Sequence, residues 1–401
     1  MTATANDRRL ARLAVLAALG AVLQVAESLL PHPVPGVRLG LANLATLLAL
    51  VELGPGAAVG VAALRSLVSS LVLGTFLGPG FVLSLGAGLA SALVMGLLYT
   101  FSRRSGFRLF GLLGLSVAGA AAHALVQVTL VYLLFVTSRG VWLLWPWLAL
   151  SATATGVLNG LVAGQALVQT RSQKSEGRSR GEKYEPGGGT GPGRFEPGES
   201  FLHRAPAALK VGFAVALALS VALFSRFELQ AGAAGLLLAL TFIARARVGR
   251  LLRGLARLGF LLALALAMPV LFTPWGEVLL RAGPLVVTAD GLRTGALFAG
   301  RIALLYWTFA LLAAVTRPEA LNRGLVVWLE PLRLFRVQTE DLARALGIAW
   351  DAFPVLWQEA RRLARSRGPA GKRAALVRLP ADILVNLRAL ADRLADDAAG
   401  N

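Results

Sequence analysis

Long apolar runs alternate with short polar breaks along this chain, and one polar interval divides them into two groups. Before the interval, six runs fit membrane-spanning helices, at about 10–30, 41–53, 56–77, 80–101, 110–136 and 142–170. They are continuous and rich in Leu and Ala rather than alternating, which is the pattern of spanning helices and not of a β-barrel. The second run is short for a bilayer and is expected to be tilted, broken or partly re-entrant. After the interval, four more spans fit at about 207–226, 229–243, 257–276 and 293–316, with a basic loop at 245–257. From Thr316 the pattern changes. Pro318 suits the first position of a helix, and the amphipathic stretch it opens is ended by Pro331. Helices at about 338–367 and 379–398 mix apolar stripes with many charges, so they are expected at the membrane surface or in the cytosol.

The dividing interval, Arg171 to Ser200, carries eight glycines, three prolines and eleven charges, with Tyr184 and Phe195 its bulky apolar residues. Such a segment buries too little surface to offset its ordering entropy, so it reads as a flexible tether. The expected organisation is a six-helix membrane module at 1–170, a linker at 171–199, and a second membrane module at 200–401. The last of these carries cytosolic helices from about 317. The fold class is an all-α integral membrane protein with about ten transmembrane helices.

Composition supports this. The 401 residues are 56% hydrophobic and 15% charged, where soluble domains carry about 25% charged residues. The net charge of +19 would point to nucleic acid in a soluble protein. Here it is better explained by basic cytoplasmic loops, and no aromatic-plus-basic platform for stacking bases is evident. Arg8, Arg9 and Arg12 precede the first span, Arg103, Arg104 and Arg108 follow the fourth, and the basic start of the tether follows the sixth. With six spans, all three clusters fall on one side. Four further spans return the chain to that side, so both termini are expected in the cytoplasm of a bacterial-type inner membrane. The N-terminal apolar run continues to about Leu30 without a clear cleavage site and reads as a retained span.

Candidate chemistry is sparse. The chain has no cysteine, and His32, His123 and His203 lack ligand spacing, so no metal site is expected. No nucleotide site is evident: Gly368–Lys372 is too short for a phosphate-binding loop and lacks the following Ser or Thr. Ionisable groups inside spans are more telling, because each is costly in hydrocarbon. Glu27, Arg38 and Arg65 are such groups, and His123 and Gln127 lie one turn apart on a shared face. They fit a polar pocket, opening outward, that binds a small anionic or polar solute. The alternative is structural, with Glu27 paired to an arginine and His123 bonding between helices. In the first span, Ala14 and Ala18 form a small-xxx-small pair that would let another helix approach closely.

Several stretches of the first half carry a family resemblance. They are Ala26-Glu27-Ser28-Leu29, the segment from Pro35 to Leu44 that includes Arg38 and Asn43, Leu64-Arg65 with Gly74-Thr75-Phe76, and Ala122-His123 with Gln127. Over about 8–170 the chain resembles the "heptaprenyl diphosphate synthase component I" or Gx transporter family, which is itself similar to the six-span substrate-binding S components of energy-coupling factor transporters. That resemblance implies a substrate site drawing on Glu27, Arg38, Asn43, Arg65, His123 and Gln127, and Ala14/Ala18 as the packing face toward a T component. Prenyl synthases hold magnesium and diphosphate with Asp-rich clusters, and no such cluster occurs here.

In the second half, Ser200–Lys210, Thr316-Arg317-Pro318-Glu319, Glu330-Pro331-Leu332, Phe353-Pro354, Glu359-Ala360 and Ala364–Gly368 resemble landmarks of the CbiQ-like transmembrane T component of the same transporters. In that family, short Ala-Arg-Gly-type motifs end cytosolic helices and dock into ATPase subunits. The resemblance therefore implies that Arg365 and Arg367 contact cytosolic ABC-type ATPases. The second motif is degraded: the chain ends Ala395-Asp396-Asp397-Ala398-Ala399-Gly400-Asn401, with no Arg before the Gly. The expected function is a fused S and T subunit of an importer, with no catalytic residues or cofactor of its own and membrane lipid around it. The alternative is a membrane accessory to prenyl diphosphate synthesis.

Overall fold

The computed structural model describes residues 5–29, 40–73, 75–76, 78–104, 111–135, 139–175, 198, 200–223, 226–273, 276–282, 285–317, 320, 324, 327, 339–366 and 385. Six helices α1 to α6 make the first half: Ala5–Leu29, Ala42–Leu53, Pro55–Leu73, Pro79–Arg104, Leu112–Leu130 and Trp145–Ser175. The second half follows with α7 (Phe201–Arg204), α8 (Ala207–Leu223), α9 (Phe227–Ile243), α10 (Val248–Arg257), α11 (Gly259–Phe272), α12 (Ala289–Val315) and α13 (Thr339–Ser366). Among the described residues, six helical segments are long and apolar enough to cross a membrane, and four shorter apolar helices accompany them. The protein is an all-α membrane protein.

Helix α2 has 12 residues, which at about 1.5 Å per residue falls far short of a bilayer. It survives because it is enclosed: Ala42 and every residue from Leu44 to Leu50 are buried, among α1, α3, α4 and α6. Non-helical backbone at its ends is tolerated at membrane depth only where protein surrounds it. The break to α3 is made by Gly54, at φ 94°, followed by Pro55 in the first helical position.

The structure adds detail at four places. The polar interval does not begin where α6 ends, because α6 runs on to Ser175; Arg, Gln and Lys are good helix formers. The fifth span ends in a π turn, Val131–Phe135. The basic loop at 245–257 is largely the helix α10, whose Leu251 is buried against Tyr306 and Ala310 of α12. Finally, the connection between the spans expected at about 257–276 and 293–316, to which no element was assigned, is an antiparallel hairpin, β1 (Val278–Ala282) and β2 (Leu285–Thr288), joining α11 to α12. The remaining part of the tether apart from Gly198, the stretch around Pro318–Pro331 apart from Ala320, Gly324 and Val327, and the 379–398 helix apart from Val385 lie outside the described residues.

The two largest apolar cores among the described residues both draw on both halves of the chain. One joins α1, α2 and α3 to Ala345, Ala349, Ala352, Phe353 and Leu356 of α13. The other joins Phe76, Phe81, Val128 and Val131 of the first half to α8, α9 and α12. Helix α12 is the axis of the second half, packing against α8, α9, α10 and α11.

Candidate functional site

Arg65 lies in the middle of α3 and is 2% exposed. Its two terminal nitrogens donate to Gln24 Oε1 of α1 (3.0 Å) and Asn43 Oδ1 of α2 (2.9 Å). Gln24 in turn donates to Ser84 Oγ of α4 at 2.9 Å, and Ser84 lies 3.5 Å from the hydroxyl of Ser66. Close helix approach makes the cluster possible. A Cβ at Gly20 would lie 3.0 Å from Arg65 Cδ, and one at Gly88 would lie 3.1 Å from Arg65 Nη2. The guanidinium is thus threaded between two glycine surfaces.

Glu27, one turn beyond Gln24, is also buried. Its carboxylate accepts from the backbone N–H of Gly40 (2.8 Å) and Leu41 (3.0 Å), immediately before α2. It interacts electrostatically with Arg65 but makes no ion pair with it among the described residues. Asn159 Nδ2 of α6 donates to the Gly40 carbonyl at 3.1 Å. Gly40 adopts φ 68°, a conformation that favours glycine. So the point where segment 30–39 rejoins the helices is clamped from α1 and from α6.

Of the residues singled out in the sequence, the structure brings Glu27, Asn43 and Arg65 together. Arg38 lies outside the described residues. His123 and Gln127 are half-buried on α5, which packs chiefly against α4 and α6. Gln24, Ser66, Ser84 and Asn159 were not singled out. Each is a polar residue inside an apolar run, the same signal that marks Arg65, but without formal charge.

Burying a charge costs several kcal/mol even after relaxation. A hydrogen bond from a charged group returns about 1.5–3 kcal/mol, so two neutral acceptors offset little more than part of that. Arg65 Nε and the hydroxyls of Thr46, one turn along α2 from Asn43, and Ser91, one turn along α4 from Gly88, are buried without a hydrogen-bond partner among the described residues. The cluster has donors to spare.

A second feature joins the halves. Asp7, Ala11, Ala14, Ala18 and Val25 share one face of α1 by their spacing of three, four and seven residues. Asp7 pairs with Arg344 of α13 at 3.3 Å, so this face is the one α13 covers. Leu13, Gly20 and Gln24 point the opposite way, toward Gly60, Arg65 and Ser84. Ala14 and Ala18 are fully enclosed. On α13, Ala345, Ala349, Ala352 and Leu356 form the matching buried stripe. Small residues on both sides let the two helices come close. Arg365 stands in the last turn of α13; its side chain, and all of Arg367, lie outside the described residues.

The chain matches two families in tandem, one described as heptaprenyl diphosphate synthase component I over residues 16–166 and one described as cobalt transport protein over 198–373. An energy-coupling factor transporter transmembrane protein EcfT from Heliobacterium modesticaldum is 32% identical over 215 residues, covering 52% of this chain and 80% of the relative. The chain belongs to the energy-coupling factor transporter transmembrane protein family. An EcfT protein of Listeria innocua is 30% identical over 179 residues, covering 45% of this chain and 68% of its own length. One from Thermosediminibacter oceani is 29% identical over 213 residues, covering 52% and 80%. These EcfT relatives are membrane transport proteins. In this EcfT-family chain, α13 contains Phe353-Pro354 and Glu359-Ala360, and it is the helix on which α1 of the other half lies.

Proposed function

We propose that the chain is a fused substrate-binding and coupling subunit of an energy-coupling factor importer, driven by separate cytosolic ABC-type ATPases. Residues 1–170 hold a small anionic or polar molecule at the Arg65 cluster, with Glu27 and Asn43 beside it and Arg38, His123 and Gln127 as further lining. Residues 171–199 tether the halves, fixing a one-to-one ratio at an effective concentration on the order of millimolar. Residues 200–401 form the coupling module, and Arg365 and Arg367 bind the ATPase. Both termini face the cytoplasm.

The observation that carries this reading is the seam between α1 and α13. The helix that matches the coupling landmarks lies directly on the first span of the half with the buried polar cluster. Movement of α13 driven by an ATPase would act on α1, and Gln24 and Glu27 on α1 touch both the cluster and the α2 clamp.

The test is the double substitution Arg365→Ala with Arg367→Ala in the tagged full chain. Loss of a buried arginine paired with a carboxylate costs about 2–5 kcal/mol. ABC-type ATPases should co-purify with the natural chain and be lost from the double variant, with membrane insertion unchanged. Retention of the ATPases at full yield would remove the coupling assignment. A prenyltransferase activity that requires this chain would favour the accessory reading implied by the first family's description.

A further inference from the structure

We propose that the β1–β2 hairpin is a membrane-interface anchor, lying in the boundary between lipid headgroups and acyl chains at the end of α12. Val278, Leu279 and Leu280 follow one another in β1, and they are 46%, 55% and 59% exposed. Val278 pairs with Thr288 and Leu280 with the adjacent Val287, so the two stand on opposite faces and each face of this hairpin carries an apolar side chain. The register shifts between Val278 and Leu280, which leaves Leu279 as the extra residue of a bulge. A two-stranded hairpin is marginal in water on its own. This one is tied at its base: Ala289 N–H donates to the Glu277 carbonyl, and Thr288 Oγ1 donates to the Thr273 carbonyl while accepting from Gly291 N–H. Its base is fixed to α11 and α12, β2 packs beside them with Val286 and Val287 half-buried, and β1 is the outward, exposed strand.

Two opposing costs set the depth. In water, both apolar faces would stay wetted. In the hydrocarbon core, the outer edges of a two-stranded sheet would leave N–H and C=O groups without partners, at several kcal/mol each. The interface satisfies both, with apolar side chains inserted about 5–10 Å and the edges reaching headgroups and water. Charge agrees with this placement. Glu277, Arg281 and Asp290 are exposed at or beside the strands, and an arginine keeps its head in the polar layer while its stem covers apolar surface.

Length and continuity agree as well. Helix α12 has 27 residues, about 40 Å, against a hydrocarbon layer of about 30 Å, so its ends reach the headgroup layers. The hairpin leads into α12 at Ala289 without a break. Leu266, Leu271, Phe272 and Leu292, on α11 and α12, are exposed and apolar. The lipid-facing surface of the two helices therefore continues onto the strands.

The absence of cysteine from the chain makes the test direct. Leu279→Cys in the full chain is nitroxide-labelled and reconstituted into vesicles of phosphatidylglycerol and phosphatidylethanolamine. Its collision rates with oxygen and with a water-soluble nickel chelate are compared with those of Leu238→Cys, exposed on the middle of α9, and Arg361→Cys, exposed on α13. The label at 279 should meet oxygen more often than the label at 361 and the chelate more often than the label at 238. A label as open to the chelate as that at 361 places the hairpin in water. One as protected as that at 238 places it in the core, and one that meets neither reagent lies under protein. Each of these three results overturns the proposal.

Discussion

The two halves of this EcfT-family protein differ in what lies at the centre of their buried polar groups. In the first half, polar side chains bond to one another at the centre, as Arg65, Gln24, Asn43 and Ser84 do. In the second half, Trp307 Nε1 donates to Thr241 Oγ1 at 3.0 Å, while Lys210, Gln230 and Arg301 bond to backbone carbonyls and pin helices, as Glu27 and Asn159 clamp backbone in the first half. Lys210 Nζ donates to the His203 and Val315 carbonyls (both 3.1 Å), tying the start of α8 to the ends of α7 and α12. Gln230 Nε2 donates to the Leu297 carbonyl at 2.9 Å, and Arg301 reaches the Leu134 carbonyl of the π turn across the interface at 3.5 Å. A side-chain cluster with unused donors can exchange partners when a ligand arrives. Backbone pins cannot; they hold helices in place. Under the proposed function, the first half would receive the solute and the second would transmit.

The largest effect is expected where the receiving cluster is cut. Arg65→Met fills the space but leaves Gln24 Oε1 and Asn43 Oδ1 buried without a donor, at about 1–3 kcal/mol each. The purified variant should unfold at a markedly lower temperature, and any small molecule retained by the natural chain should be absent from its mass spectrum. Unchanged retention would make Arg65 a scaffold residue and dissolve the contrast between the halves.

Ala18→Leu tests the seam. Adding bulk to a fully enclosed site costs about 1–3 kcal/mol, here at the contact with α13. With a protease site placed between residues 176 and 197, the cut halves of the natural chain should stay together on a sizing column, and those of the variant should separate. Lys210→Met is smaller. Its ammonium is only half-buried, so losing both bonds should cost about 1 kcal/mol, and Lys210→Arg should recover part of the melting temperature. The smallest effect is expected for Arg344→Ala. The pair with Asp7 is 59% and 37% exposed, and such rim pairs contribute about 0–1 kcal/mol. A loss above that would mean that charge, not small-residue packing, holds α1 on α13.

Most of the architecture was legible in the sequence. Apolar run lengths gave the spans within a few residues, since hydropathy sets where a helix can lie in lipid. Glu27 and Arg65 stood out because charge is conspicuous in hydrocarbon. Their partners did not, because Gln24, Ser84 and Asn159 gain meaning only once it is known which helices meet. The hairpin was not foreseen: its strands lie between two expected spans, and runs of five and four residues are too short to declare a strand by alternation. Helix α10 was hidden by its arginines, although Leu251 and Leu255, four residues apart, marked its buried side.

The most direct test of the central claim is to isolate the tagged full chain with its co-purifying ATPases and measure the retained small molecule before and after adding ATP. If α13 passes ATPase motion through α1 to the Arg65 cluster, ATP should release the molecule from the natural complex. It should fail to release it when Ala18→Leu disrupts the seam but the ATPases remain bound. Equal release from both complexes, or none from the natural one, would contradict the account.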